Sequence, residues 1–310
     1  MGYAVLFPGQ GSQAVGMGAD LFDSRPDLLG TSADAILGWP LRTVCLDGPE
    51  ENLTRTDRAQ PVLYAVAYAL WEASAAAVTV LPAAAAGHSL GEYTALAAAG
   101  ALSFSEGLGL VAARGTAMAA AAGLEPSGMA ALMGGDRENA ESLCHRRRSE
   151  GGRLWVANLN APGQVVIAGG AADIEWAGVH GREHGARRVI PLKVAGAFHS
   201  PLMESAAVDL AEAVGATGFR APAFPVWANA TAEPHGEEAG PALLKQLTSP
   251  VRFEESLQAM AALGITTFVH IGPGEVTAGL ARKSIEDSET HVVSTLDEAA
   301  VVAEKIGGAE

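Results

Sequence analysis

The chain is short of cysteine, of long apolar runs and of positive charge, and each shortage closes off a class of function. Only two cysteines, Cys45 and Cys144, stand in 310 residues. They build neither a disulfide framework nor a metal cluster, and read as idle thiols in a reducing cytoplasm. No run of about 18 residues escapes polar interruption, so no transmembrane helix is expected. The opening residues, Met1 to Pro8, lack a basic region and lead into Gly9-Gln10-Gly11. They read as a buried strand entering a loop, not as a targeting signal. A net charge of −15 argues against nucleic acid and anionic membranes as partners. A cytoplasmic monomer without metal is expected.

What is present is core-forming material. Hydrophobic residues make up 49% of the chain and charged residues 18%, enough for one large domain or two modest ones. Short apolar runs at Ala4–Phe7, Pro82–His88, Phe224–Trp227, Thr266–Ile271 and His291–Thr295 read as strands. Helices are expected over Ala59–Ala77, with Pro61 in the first turn, and over Glu92–Ala99. Ser103-x-x-Glu106 is a capping box opening another helix to Ala122. Further helices are expected from Ser200-Pro201 to Val214 and over Glu275–Arg282. This alternation predicts an α/β fold, a mostly parallel sheet with helices on both faces. Between them, residues 127–196 follow a different order. Strands at Met129–Met133, Leu154–Asn158, Gln164–Ala168 and Arg188–Lys193 alternate with helices at Arg137–Arg147 and Asp173–His184. That β-α-β-β-α-β order predicts a ferredoxin-like α+β subdomain inserted in a larger one made of 1–126 and 197–310. Parallel sheets hold ligands at the carboxyl ends of their strands. Phe7, His88 and Ile271 each precede a glycine-containing turn at that edge.

Gly87-His88-Ser89-Leu90-Gly91 is the stretch that carries chemistry. Gly-x-Ser-x-Gly places a serine on a sharp strand-to-helix turn, with glycines where side chains would collide. The hydroxyl is presented outward, and the Leu90 N–H points to where an oxyanion forms. By itself the pattern also fits an ordinary glycine-rich turn. A serine nucleophile needs a base, and His199, between a predicted strand and a helix start, is the best placed of eight histidines. His88 is turned away by alternation and reads as a packed residue with a satisfied hydrogen bond. His270, before Gly272-Pro273-Gly274, is a supporting candidate. No acid near a strand end in the last third is available to orient the base, which leaves a backbone carbonyl as an option. Arg114 lies in an apolar helical stripe with Leu110, Val111, Ala117 and Met118. A buried guanidinium calls for a carboxylate, either from within the fold or from a substrate. Residues 127–196 carry nine basic and seven acidic side chains, so the insert is near +2 and the remainder near −17. This basic rim is either a docking face for an acidic partner or a solvated surface.

At this point the residues resemble a family: the malonyl-CoA:acyl-carrier-protein transacylases and the acyltransferase units of polyketide and fatty acid synthases. The resemblance runs through Phe7-Pro8-Gly9-Gln10-Gly11-Ser12-Gln13, Gly87-His88-Ser89-Leu90-Gly91-Glu92-Tyr93, Arg114-Gly115, Asn158-x-Asn160-Ala161-Pro162-Gly163-Gln164, Gly196-Ala197-Phe198-His199-Ser200, Gln246-Leu247, Pro250-Val251 and Gly272-Pro273-Gly274. It implies a hydrolase-like α/β domain with a ferredoxin-like insert, working as a stand-alone enzyme. Ser89 would be acylated and His199 its base, with His199 oriented by the backbone carbonyl of Gln246. The amides of Gln10 and Leu90 would form the oxyanion hole. Arg114 would pair with a malonyl carboxylate, and Phe198, His88, Asn158 and Asn160 would join it in binding substrate. Phe198 is bulky enough to crowd a branched acyl unit. Ser249 departs from the family's frequent asparagine before Pro250. The resemblance further implies malonyl-CoA as substrate with no cofactor. The partner would be an acidic acyl carrier protein, docked near Arg146, Arg147, Arg148, Arg153, Arg187 and Arg188. Two rival readings are an editing thioester hydrolase on the same scaffold and a non-catalytic carrier-binding module.

Overall fold

Tyr3–Phe7, buried at every position, forms strand β1 at the centre of the principal sheet. The computed structural model describes residues 2–78, 80–236 and 238–307. On either side of β1 lie β2 (Ala84–Gly87) and β10 (Thr267–Ile271), both parallel to it. Beyond them lie β7 (Val226–Ala228) and β11 (Glu289–Val293), also parallel, and β8 (Glu233–Pro234) closes the edge antiparallel to β7. The order is β11-β10-β1-β2-β7-β8. β2 is made of three alanines and a glycine, yet it is a strand. Its place between β1 and β7 and its complete burial override the helical preference of alanine.

Helices flank this sheet. Five short ones, α1 (Ala19–Ser24), α2 (Pro26–Leu29), α3 (Thr31–Leu37), α4 (Leu41–Leu46) and α5 (Glu50–Leu53), follow β1. Sequence periodicity did not indicate them, because each spans two turns or fewer between breakers such as Gly30, Gly38 and Pro49. Helix α6 (Thr56–Ala75) begins three residues before the expected start, so Pro61 lies inside it rather than in its first turn. The carbonyl that Pro61 leaves unbonded is that of Asp57, close to the helix start, where a break costs least. Next come α7 (Gly91–Ala98) and α8 (Phe104–Ala122), the latter opened by the Ser103/Glu106 capping box. Helices α6 and α8 cross at Gly107, where a Cβ would lie 2.0 Å from the Tyr64 hydroxyl.

After α8 the chain builds a second sheet. Strands β3 (Ser127–Met133), β4 (Leu154–Ala161), β5 (Gln164–Gly170) and β6 (Arg188–Pro191) are antiparallel in the order β6-β3-β5-β4. Helices α9 (Arg137–Ser149) and α10 (Ala171–His180) cover it. Leu132, Leu143, Leu154, Ile167 and Ile174 belong to a core separate from that of the main sheet. β9 (Val251–Arg252), from far along the chain, pairs in parallel with β4 and makes a fifth strand. That late segment ties the two sheets together beside the loop that precedes it. Helices α11 (Glu204–Gly215), α12 (Ala239–Gln246), α13 (Phe253–Ala262), α14 (Val276–Ser284) and α15 (Leu296–Gly307) complete the fold. Of these, α12, α13 and α15 were not anticipated. The sequence predicts a frayed end over Ile306–Glu310, of which 308–310 lie outside the described residues. Both cysteines are buried. Among the described residues, no helix is long and apolar enough to cross a membrane.

Candidate active site

Because β10, β1 and β2 run side by side in register, their carboxyl ends bring three loops together. Leu6 pairs with His270, and Phe7 with Gly87. The loops after Phe7, Gly87 and Ile271 therefore share one edge of the sheet. They pack too closely for side chains. A Cβ at Gly9 would lie 2.5 Å from the His88 carbonyl, and one at Gly272 (φ 142°) 2.6 Å from Pro8. His270 holds the last of these turns by bonding Thr277 Oγ1 and the Gly272 carbonyl.

Ser89 sits at the sharpest turn on this edge, between β2 and α7, with φ 51°. A non-glycine residue in the left-handed region persists only where its surroundings over-determine it. The glycines are what permit it. A Cβ at Gly87 would meet the Gly91 backbone at 1.8 Å, and one at Gly91 would meet the Phe7 carbonyl at 2.3 Å. Asn229, immediately after β7, braces the turn. Its Oδ1 accepts the Ser89 N–H at 2.7 Å, and its Nδ2 donates to the Gly87 carbonyl at 2.7 Å.

His199 also has positive φ, 57°, which turns its ring toward the serine. Its Nε2 is 2.8 Å from Ser89 Oγ, and its Nδ1 is 2.9 Å from the backbone carbonyl of Gln246. A carbonyl only accepts, so the proton rests on Nδ1 and Nε2 is free to take the serine proton. Burial and the charge of Arg114 lower the His199 pKa to about 3. The imidazole is thus neutral at physiological pH, the form a general base requires.

Arg114, on α8, is 1% exposed and reaches the same serine. It donates to Gln60 Oε1 at 2.7 Å, to Gln246 Oε1 at 2.8 Å and to Ser89 Oγ at 3.0 Å. Its ring neighbour is Tyr93, 5.4 Å away. All three acceptors among the described residues are uncharged, so the internal carboxylate foreseen as one alternative is not in direct contact there. Nε is buried without a partner among the described residues. Desolvation lowers the pKa of the guanidinium, opposed by nearby Tyr93 and Glu92. A buried cation with neutral partners beside a nucleophile is poised for an anionic group that enters later.

These groups open on a cavity of about 220 Å³ between the two sheets. Gln10, Leu90, Phe198, Asn158, Asn160 and His88 line it, so every sequence-predicted substrate residue reaches the same space. His88 does not face away entirely: its Nε2 bonds Asn160 Oδ1 at 2.7 Å across the cavity wall, and burial lowers its pKa. Asn158 and Asn160 come from β4, which is irregular on both sides of Asn158–Leu159.

Four residues of the site were missed. Gln60, Asn229, Glu92 and His235 all lie within two hydrogen bonds of Ser89 or Arg114. Asn229 was findable, as a polar residue ending a central strand. Gln60 looked like any polar residue in an amphipathic helix.

The basic rim is smaller than its composition implied. Arg146 pairs with Glu150 and Glu183, Arg147 with Asp173 and Glu150, and Arg153 with Glu125. Arg148 donates to the Leu154 carbonyl. Four of the six expected docking arginines are thus engaged within the protein. Arg187 and Arg188 are exposed at β6, the edge strand of the second sheet, close to Leu192 and Val194 at the cavity.

Comparison with known proteins places this geometry among relatives. The acyl transferase domain family matches residues 5–304. A malonyl CoA-acyl carrier protein transacylase of Bacillus subtilis is 43% identical over 295 residues, covering 94% of this chain and 93% of that one. The structure of the malonyl CoA-acyl carrier protein transacylase from Coxiella burnetii superposes with a TM-score of 0.94 at 33% identity, covering 99% and 98% of the two chains. A type II PKS acyl-carrier protein in complex with its malonyl-transacylase gives 0.93 at 35% identity, covering 98% and 100%.

Proposed function

Since the chain belongs to the acyl transferase domain family, we infer that it moves a malonyl group from CoA to the pantetheine thiol of an acyl carrier protein. The observation that carries this reading is the shared nucleophile. One Ser89 oxygen lies 2.8 Å from a neutral imidazole and 3.0 Å from a buried, carboxylate-free guanidinium.

The reaction runs in two matched halves. Ser89 Oγ attacks the thioester carbon of malonyl-CoA while its proton passes to His199 Nε2. The amides of Gln10 and Leu90 receive the developing oxyanion. The intermediate collapses, the C–S bond breaks, and CoA leaves as a thiol with the proton from His199. The pantetheine thiol then gives its proton to His199, attacks the ester carbon, and Ser89 recovers its proton as the C–O bond breaks. Atoms and protons balance without a metal or redox cofactor. Arg114 holds the distal malonyl carboxylate and fixes the acyl group while it waits. Fatty acid and polyketide synthesis both draw on this step.

Intact-mass measurement under competition among malonyl-, methylmalonyl-, ethylmalonyl- and acetyl-CoA tests the reading. Malonyl is expected to dominate the adduct, because Phe198 crowds a branch at C2 and an acetyl group gives Arg114 no anion. The adduct should then pass to a holo carrier protein. Release of free malonate faster than transfer would favour the editing hydrolase instead.

The carrier is assigned to the exposed end of β6. Arg187 and Arg188, with Lys193 next to the cavity mouth, are the cations there without an ion-pair partner among the described residues. Reversing Arg187 and Arg188 to glutamate should raise the KM for carrier by about tenfold, as expected for rim charges that steer association. Loading from malonyl-CoA should change little. Equal damage to both halves would refute this docking face.

A further inference from the structure

The catalytic sequence makes no use of Glu92, although its carboxylate is wholly buried three residues after the nucleophile. It accepts hydrogen bonds from His235 Nε2 at 2.8 Å, Gln246 Nε2 at 2.7 Å and the Asn229 N–H at 2.9 Å. A carboxylate removed from water is tolerated only when its lone pairs are filled. Here the donors come from β8's flank, α12 and the end of β7, and the first turn of α7 adds a favourable dipole. His235 is itself enclosed, and its Nδ1 is buried with no partner among the described residues. The ring gives up one hydrogen bond and keeps the one to Glu92.

We propose that Glu92, braced by His235, is a positioning residue that fixes the Gln246 amide so that this one residue serves Arg114 and His199 together. The two Gln246 N–H groups are both committed, to the Ser89 carbonyl at 2.9 Å and to Glu92 Oε2. Its Oε1 is then left for Arg114 Nη2, and its backbone carbonyl holds the His199 ring. Were the amide flipped, its N–H groups would face the guanidinium and its oxygen the Glu92 carboxylate. Each encounter is like against like. Glu92 is what makes that flip unfavourable. Through the Asn229 N–H it also holds the brace on the Ser89 turn.

The inference rests on the malonyl reading of Arg114, and its test separates the two. Loading rates for malonyl- and acetyl-CoA are measured by intact mass on the wild type, Glu92→Ala, Glu92→Gln and His235→Ala. Melting temperatures are recorded alongside. Glu92→Ala should lower the malonyl-to-acetyl ratio by about tenfold, the range for one buried bond lost from a network. Glu92→Gln should recover most of it. Its amide oxygen still accepts from Gln246 and Asn229, and its NH₂ donates to the other His235 tautomer. The ratio is read on loadable protein, so a reduced folded fraction does not mimic the effect. If Glu92→Ala does not fold, His235→Ala should shift the ratio in the same direction. An unchanged ratio in Glu92→Ala or His235→Ala overturns the inference, as does a Glu92→Gln as impaired as Glu92→Ala. A wild type that does not prefer malonyl defeats the functional reading itself.

Discussion

Replacing Ser89 by alanine is expected to abolish the malonyl adduct and to lower transfer by at least about 10⁴-fold, the scale on which members of a serine–histidine unit fail. His199→Ala should cost a similar factor, and the double variant little more, because the two act on one proton. The serine is a useful nucleophile only because Nε2 is unprotonated and 2.8 Å away. It holds that state through the Nδ1 bond to the Gln246 carbonyl. Among the described residues no side-chain carboxylate stands behind this histidine, so the imidazolium formed in each half-reaction is stabilised by a carbonyl dipole instead. Folding should be little affected, since Ser89→Ala keeps the Cβ that the turn already accommodates. A residual adduct on Ser89→Ala at another residue would place the nucleophile elsewhere.

Much of this site was legible in sequence, for reasons that differ from residue to residue. The elbow was readable because its glycines answer to backbone contacts of 1.8 and 2.3 Å, which no other residue type survives. The insert was readable from its change of element order, which the strand order β6-β3-β5-β4 reflects. Arg114 was conspicuous as a cation in an apolar stripe, but its neutral partners were not foreseeable. Gln60 and Gln246 come from helices 54 and 132 residues away in the chain from Arg114, respectively, and polar glutamines look alike in any helix. Glu92 was hidden for a related reason. In a sequence it is an acidic residue in the first turn of a helix, a position such residues occupy on countless surfaces. Only the fold shows that the surface is absent. The arginines of α9 show the reverse: counted by composition they form a docking rim, whereas the structure pairs most of them with Glu150, Glu183 and Asp173.

Arg114→Ala should lower malonyl transfer by about 100-fold, equivalent to about 3 kcal/mol, the value of one charge-assisted pair formed in a dry site. Acetyl loading should fall far less, so the preference between the two donors is the measurement that decides. Two opposing effects keep this from being a folding defect. Removing the guanidinium leaves Gln60 Oε1 and Gln246 Oε1 without a donor, at about 1–3 kcal/mol each. It also removes a cation whose desolvation costs several kcal/mol. The terms nearly offset, whereas the loss of the malonyl contact has nothing to offset it. Arg114→Lys should not restore activity, because an ammonium cannot span Gln60, Gln246 and an incoming carboxylate as a planar fork does. If both variants keep the wild-type preference for malonyl over acetyl, the cation serves the fold and not the substrate. The selectivity would then have to come from the cavity wall that Phe198 and Asn160 share.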